Sequence, residues 1–338
     1  MGVKLADLFP KAEINYDLLK GKKIAVDASN VLYQFVSSIR QRDGTPLMDS
    51  KSRITSHLVG IFTRFSNLIS KGIKLAVVFD GKPPLLKIRE QERRAFLKET
   101  AMEKFEEAKQ EEDIASMYKY SKQATKLSRE MFDESKELIK AMGMPVIQSP
   151  SESDAQMAFM NEQDDVWACS SSDYDCLLHG APRLIPNLTL SQVRKLPNGK
   201  VVKTQLELID LKKGLRDLKI THDQLIALGI LVGTDYNIGG VKGIGPKKAL
   251  KLVLEHKNFD DLFASVKADF NWKEIYAVFK SMPIMKNYQL RWQEPDVEKI
   301  KKILIDEHDF SEERVQSTIE KLNEVKKSRE QKGLGDFF

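Results

Sequence analysis

The chain has 338 residues, enough for one large domain with attachments or for two domains. Hydrophobic residues make up 41 % and charged residues 30 %, with no apolar stretch of transmembrane length and no charged-then-apolar leader; this excludes a membrane protein from the expectation. Only Cys169 and Cys176 occur, the first within an apolar run, which argues for a reducing intracellular setting, and the net charge of +5 admits a polyanionic partner without requiring one.

The first strand is read at residues 22–27, KKIAVD, and ends on Asp27. An apolar helix follows, with Asn30 near its start, Tyr33 within it and Arg40 at its end. Beyond a loop with Gly44 and Pro46, apolar residues recur at helical spacing over 55–69, and Arg64 is the one cation inside that run. The second strand, LAVVFD at 75–80, ends on Asp80. Strand, helices, strand at this separation predict a right-handed parallel crossover, which brings Asp27 and Asp80 to one sheet edge.

From 87 to 129 the chain is charged and helix-prone, without Pro or Gly. Lys87, Arg94 and Lys98 share a helical face, and so do Lys119, Lys122, Lys126 and Arg129; the acids between, around 106–113, suggest a bend. Such charge runs are usually solvated faces, but two basic stripes rising from beside Asp80 are harder to dismiss. Helix resumes over 131–142, and a strand is read at 145–148. Ser149 then reads as the N-cap of a helix with Pro150 at its first position and Glu152 and Asp154 in its first turn, where acids also suit the helix dipole.

The apolar run at 166–169 reads as a buried strand, followed by SSSDYD with Asp173 and Asp175. An isolated Asp-x-Asp is more often a capped turn than a metal site, but here it leaves the strand end where open α/β sheets bind ligands. Paired strands are expected within 184–203 around Pro197-Asn198-Gly199, then a helix at 223–232, Gly233 and Asp235. The run Gly243-Ile244-Gly245-Pro246-Lys247-Lys248 is similar to a helix-hairpin-helix: glycines let the backbone approach a phosphate, free amides open the next helix, and two lysines add charge. Such a module grips duplex backbone without reading sequence. The last third is helical, with Trp272 and Trp292 in packing roles.

Asp27, Asp80, Glu152, Asp154, Asp173, Asp175 and Asp235 on one sheet edge would repel one another unless hard cations neutralised them. Two Mg²⁺ or Mn²⁺ ions held this way support in-line displacement at phosphate. No Cys/His cluster offers a zinc site, and no Walker loop or Ser-His-Asp set points elsewhere.

The segments KKIAVDAS, VVFDGKPP, SPSESDAQ, SSSDYD, LVGTDY, GIGPKKAL and QKGLGDFF together resemble the flap endonucleases, the structure-specific 5′ nucleases of the XPG/Rad2 family. The resemblance runs nearly end to end. It implies an α/β fold of the PIN-like 5′ nuclease type: a mostly parallel central sheet with helices on both faces, a helical arch insertion and a helix-hairpin-helix. It also implies that the seven acids hold two Mg²⁺ ions, with Mn²⁺ as a substitute, and that Lys87 and Arg94 act on the scissile phosphate. Tyr33 matches an aromatic that stacks on a base near the cut, and Arg40, Arg64 and Gly233 match DNA-contacting positions; Glu152, Asp235, Gly243, Gly245, Lys247 and Lys248 complete the DNA-binding set. One departure is that the family usually shows Glu-x-Glu where this chain has Glu152-x-Asp154, which leaves open contact through water or through a shifted ion.

Gln331, Leu334, Phe337 and Phe338 fit the box by which proteins dock on the sliding clamp PCNA, and residues three apart in a 3₁₀ turn share a face. The expected division is a nuclease region 1–98, an upper arch 99–130, an internal region 131–258 with the helix-hairpin-helix at about 235–252, a helical region 259–329 and the clamp peptide 330–338. The expected activity is cleavage of 5′ DNA flaps with 5′–3′ exonuclease action, in replication and repair, by a monomer that meets DNA and the clamp but no membrane. The ending at the clamp box suggests an archaeal cytoplasmic enzyme; a eukaryotic one would be nuclear. A PIN-type ribonuclease also clusters acids on an α/β sheet, but the arch, the hairpin and the clamp box count against it. A non-catalytic scaffold leaves the acids unexplained, and a glycosyltransferase would explain the Asp-x-Asp alone.

Overall fold

The structure is a computed structural model describing residues 3, 5–190, 193–195, 201–203 and 205–322, so the clamp box at 331–338 lies outside the described residues. Strands β1 (Ala12–Ile14), β2 (Lys23–Asp27), β3 (Lys74–Phe79), β4 (Val146–Gln148), β5 (Ala168–Ser170), β6 (Arg183–Leu184) and β9 (Leu206–Asp210) form one sheet, while β7 (Val193–Lys195) and β8 (Val201–Lys203) pair as a separate antiparallel hairpin. The sheet order is β1-β9-β6-β5-β2-β3-β4. From β6 to β4 neighbours are parallel; β9 and β1 add antiparallel strands at one edge. The chain builds from β2 outward through β3 to β4 and then crosses to β5 and β6. Strand order therefore reverses at the β2–β5 boundary, which opens a crevice beyond the carboxyl ends of the strands.

Alternation along the strands sorts the core into two layers. Ala25, Ala76, Val78, Cys169, Leu184 and Ile209 point to a layer closed by Met157, Met160 and the apolar helix His222–Val232. Ile24, Val26, Leu75, Val77, Phe79 and Ala168 point to the other, closed by Leu32, Phe35, Phe65 and Leu138, with Val315 and Ile319 from the C-terminal region. The expected helix at 55–69 is a continuous helical run, Ser56–Gly60 and Ser66–Ser70 joined by a π-helical turn, Ile61–Phe65. Gly60 admits the Phe35 ring, since a Cβ there would stand 2.2 Å from Phe35 Cγ.

Helix Ile88–Gln110 and helix Ile114–Gln123, the latter capped by Asp113, form the arch. The second helix ends before Lys126, and Arg129 opens the following helix, Arg129–Ala141; the stripe expected from Lys119 to Arg129 is therefore broken at the link. Trp272 stacks on Phe263 with ring centroids 5.0 Å apart, and Trp292 Nε1 donates to the Leu75 carbonyl at 2.7 Å; both are packing residues. Among the described residues no helix is long and apolar enough to cross a membrane.

Candidate metal centre and nucleic-acid interface

The acids come from strand ends, from helix starts and, for Asp235, from the turn after helix His222–Val232. Asp27 closes β2 and caps helix Ala28–Ser38, accepting Asn30 N–H at 3.1 Å on Oδ1 and Ser171 Oγ–H at 3.2 Å on Oδ2. Asp80 follows β3; its Oδ2 accepts the Ser29 hydroxyl, and its Oδ1 accepts Ser153 N–H at 2.7 Å. This corrects the expected cap: helix Ser153–Glu162 starts three residues later than Ser149-Pro150 suggests, and Glu152, its N-cap residue, makes no side-chain cap bond. The reason lies in the backbone, since Gly81 N–H and Lys82 N–H bond to the carbonyls of Ser151 and Pro150, holding residues 150–151 beside the β3 exit.

Asp27, Asp80, Glu152, Asp154, Asp173 and Asp235 line one crevice of about 480 Å³ together with Tyr33, Lys87, Arg94 and Lys98. That volume suits ions and a nucleotide rather than a duplex. Asp175 stands behind this lining, buried, accepting Val3 N–H at 3.0 Å and donating its own N–H to Asp173 Oδ1 at 3.2 Å.

Crowding shows in the protonation equilibria. Burial, then Asp80 and Asp173, pushes Asp27 up to about 7. Burial and neighbouring carboxylates hold Asp154 and Asp175 well above the usual range; burial also raises Glu152, with Lys87 opposing. Uncompensated acids with oxygen donors only are the environment a hard divalent ion selects. Among the described residues, however, no three His, Cys, Asp or Glu side chains already enclose an ion position. Cations from the arch root pair with two of the acids. Lys87 pairs with Glu152 and lies 3.3 Å from Asp235, and Arg94 reaches Asp235 at 2.5 Å. Burial works against both cations, but the acids outweigh it and hold Lys87 and Arg94 above their ordinary pKa. The residues thus fit divalent ions by chemistry, and Lys87 and Arg94 place positive charge against two of the acids.

Other predicted residues lie elsewhere. Tyr33 faces the crevice with Lys98 Nζ 5.6 Å from its ring centroid. Arg40 is held outside it, donating to the Gly44 carbonyl at 2.7 Å and to Thr125 Oγ1 under the arch. Arg64 sits half-buried in the π-helical turn. Gly233 ends helix His222–Val232 at φ 109°, where a Cβ would meet Gly240 N at 2.6 Å, so the turn itself requires glycine. Gly243 and Gly245 have open space over their Cα atoms, and Lys247 and Lys248 are exposed in the first turn of helix Pro246–Glu255.

Sequence reading missed Glu90, whose buried carboxylate takes Arg93 at 2.7 Å and Arg94 at 2.6 Å; its i,i+4 spacing to Arg94 was the available signal. It also missed Ser29 and Ser171, which donate to Asp80 and Asp27, and Cys176, whose thiol meets Asp154 at 2.8 Å. No sequence spacing announces these contacts.

The family model for the XPG N-terminal domain matches residues 1–112, and that for the XPG I-region matches 143–235. A Pyrococcus horikoshii protein named Flap endonuclease 1 is 50 % identical over 339 aligned residues, covering 100 % of this chain and 98 % of the relative. Its Staphylothermus marinus counterpart is 48 % identical, with 100 % of both chains covered. Among solved structures, flap endonuclease-1 from Methanococcus jannaschii superposes with a TM-score of 0.78 at 41 % identity, covering 97 % of this chain and 100 % of that one. The catalytic core of Rad2, solved with a DNA substrate, shares the fold at TM-score 0.72 and 22 % identity, covering 95 % and 100 %.

Proposed function

The chain belongs to the flap endonuclease family, and from that premise we propose that its acidic crevice holds two Mg²⁺ ions, or Mn²⁺ in their place, at the phosphodiester to be cut. As a member it is a structure-specific 5′ flap nuclease, a hydrolase of phosphodiester bonds; metal dependence and roles in replication and repair are general to the family. We assign to it also 5′–3′ exonuclease action on the same substrates.

Asp27, Asp80, Glu152, Asp154, Asp173, Asp175 and Asp235 would hold the ions, Asp175 from behind the crevice. When bound, the pair supplies a water nucleophile at neutral pH and stabilises charge on the attacking and leaving oxygens. Lys87 and Arg94 exchange their acid partners for the scissile phosphate and neutralise charge as it develops there. Tyr33 stacks on a base beside the cut. Gly243, Gly245, Lys247 and Lys248 take duplex phosphates, and Arg40, Arg64 and Gly233 extend that contact. Gln331, Leu334, Phe337 and Phe338 dock the enzyme, as a monomer, on the sliding clamp PCNA in the cytoplasm of an archaeal cell.

The observation that carries this reading is the meeting of Lys87 and Arg94, from the arch root, with Glu152 and Asp235 inside a crevice lined by six carboxylates. The test is Asp173→Asn on a labelled double-flap DNA. Folding and DNA binding are expected to persist while cleavage falls by orders of magnitude, because a neutral amide ligates Mg²⁺ poorly. Near-normal turnover at saturating Mg²⁺ would remove Asp173 from the metal set.

A further inference from the structure

The acids of the crevice differ in what holds them. Asp27 has a backbone amide and a hydroxyl, Asp80 has the same pair, Asp175 has the amide of Val3, and Glu152 and Asp235 have cations. Asp154 has a thiol: among the described residues, the hydrogen bond to its carboxylate comes from Cys176 Sγ, 2.8 Å from Oδ1. Cys176 is fully buried in helix Asp175–Leu178, directly after Asp175, and belongs to the same core layer as the sheet residue Cys169. Asp154 lies in the first turn of helix Ser153–Glu162 and lines the crevice.

We infer that Cys176 is a positioning residue for Asp154, fixing the direction in which this carboxylate faces the metal site. The inference rests on the proposed role of Asp154 as a metal ligand. An Asp has one methylene fewer than a Glu, so its carboxylate turns about two torsions instead of three, stays closer to the helix and reaches less far. Of its two oxygens, Oδ1 is held by the thiol, which restricts the directions the carboxylate can take. A thiol is a weak donor, so it orients the acid without satisfying its charge. Outer partners of this kind orient a ligand, and their loss typically costs about 10–100-fold in metal affinity or activity. Cys176 also packs in the core layer, a role that the Asp154→Ala background separates from positioning.

The test is a thermodynamic cycle on the full chain, read by Mn²⁺ titration without DNA (electron paramagnetic resonance of the free ion) and by Mg²⁺-dependent cleavage. Cys176→Ala is expected to weaken Mn²⁺ binding about tenfold, and Cys176→Ser, which keeps a donor, to restore most of it. In the Asp154→Ala background Cys176→Ala is expected to change Mn²⁺ binding little, because the two residues act as one unit. Thermal melting checks that each variant folds. If Asp154→Ala impairs Mn²⁺ binding while Cys176→Ala does not, or if Cys176→Ala lowers it equally in both backgrounds, the positioning role is wrong. Unchanged binding in Asp154→Ala overturns the ligand reading of Asp154 and the inference with it.

Discussion

Asp80 Oδ1 accepts the backbone N–H of Ser153 at 2.7 Å, so an acid from the end of one strand caps the helix that follows the next. The bond ties β3 to the start of helix Ser153–Glu162 and sets Glu152 and Asp154 on either side of the capped amide. Asp27 repeats the arrangement within its own helix through Asn30. The acids of the crevice are thus parts of the scaffold as well as of its chemistry.

Stability without metal should fall as pH rises. Asp27 has a folded pKa of about 7 against an ordinary 3.8, so the folded state holds its proton more tightly than the unfolded chain does. That contribution is fully present below 3.8, fades as pH climbs, and is gone above about 7; Asp154 and Asp175, also raised, act in the same direction. The acids Asp49 and Glu90 are shifted downward and titrate below this window. His179, lowered to about 4 by burial, adds stability as pH rises to its ordinary 6.5 and offsets the loss there, so in EDTA the urea midpoint is expected to drop between about pH 6.5 and pH 8, and Mg²⁺ to reverse the drop. Asp27→Asn should stabilise the metal-free protein at pH 8 by on the order of 2 kcal/mol and flatten the profile. A pH-independent midpoint in EDTA would contradict the crowding.

Lys87 should have opposite effects on binding and on chemistry. Its ammonium pairs with Glu152 in the free protein and competes there with a divalent ion. Lys87→Met is expected to raise Mn²⁺ affinity severalfold without DNA, yet to lower the single-turnover cleavage rate by about a hundredfold or more. If affinity and rate fall together, Lys87 supports the site structurally and does not act on phosphate.

The hairpin prediction is one of salt dependence. Replacing Lys247 and Lys248 by Ala should weaken duplex binding and reduce the slope of log affinity against log salt by about 1–2, since fewer counterions are released. Cleavage of bound substrate should change much less. A slope equal to that of the parent protein takes these lysines out of the interface.

The clamp box can be tested apart from the crevice. Burial of an aromatic side chain is worth roughly 1.5–3 kcal/mol, so Phe337→Ala with Phe338→Ala should cost on the order of a hundredfold or more in clamp affinity. Basal flap cleavage should remain intact. A parallel loss of basal cleavage would mean that these residues serve the nuclease itself.

The sheet was legible because KKIAVD and LAVVFD each state a buried parallel strand and its end in one run of residues. Their alternation then divides between two core layers, as Ala25 and Val26 do. The acids at 173, 175 and 235 were legible as candidates only in company, since each alone reads equally well as a turn or cap residue. What escaped depends on contacts between distant segments. Ser149-Pro150 has the composition of a helix start, but bonds from Gly81 and Lys82 claim that backbone, and Asp80, seventy-three residues before Ser153, takes over the cap. Lys126 continues a helical stripe by spacing alone, yet the helix ends at Gln123 and Thr125 turns to meet Arg40. The thiol at 176 gives no hint of Asp154 until the chain is folded.

Gly81 fixes a dimension of the crevice. A Cβ at this position would stand 2.2 Å from the Ser149 carbonyl oxygen and 2.5 Å from that of Pro150, so here two loops touch backbone to backbone. Gly81 N–H also bonds to the Ser151 carbonyl at 2.6 Å, one residue from Asp80 on one side and one residue from Glu152 on the other. The gap between those two acids is therefore gauged by main chain, like the fixed jaw of a caliper, before any side chain turns. A methyl group at residue 81 would act as a shim: it would leave every charged group in place along the sequence while widening the opening they face.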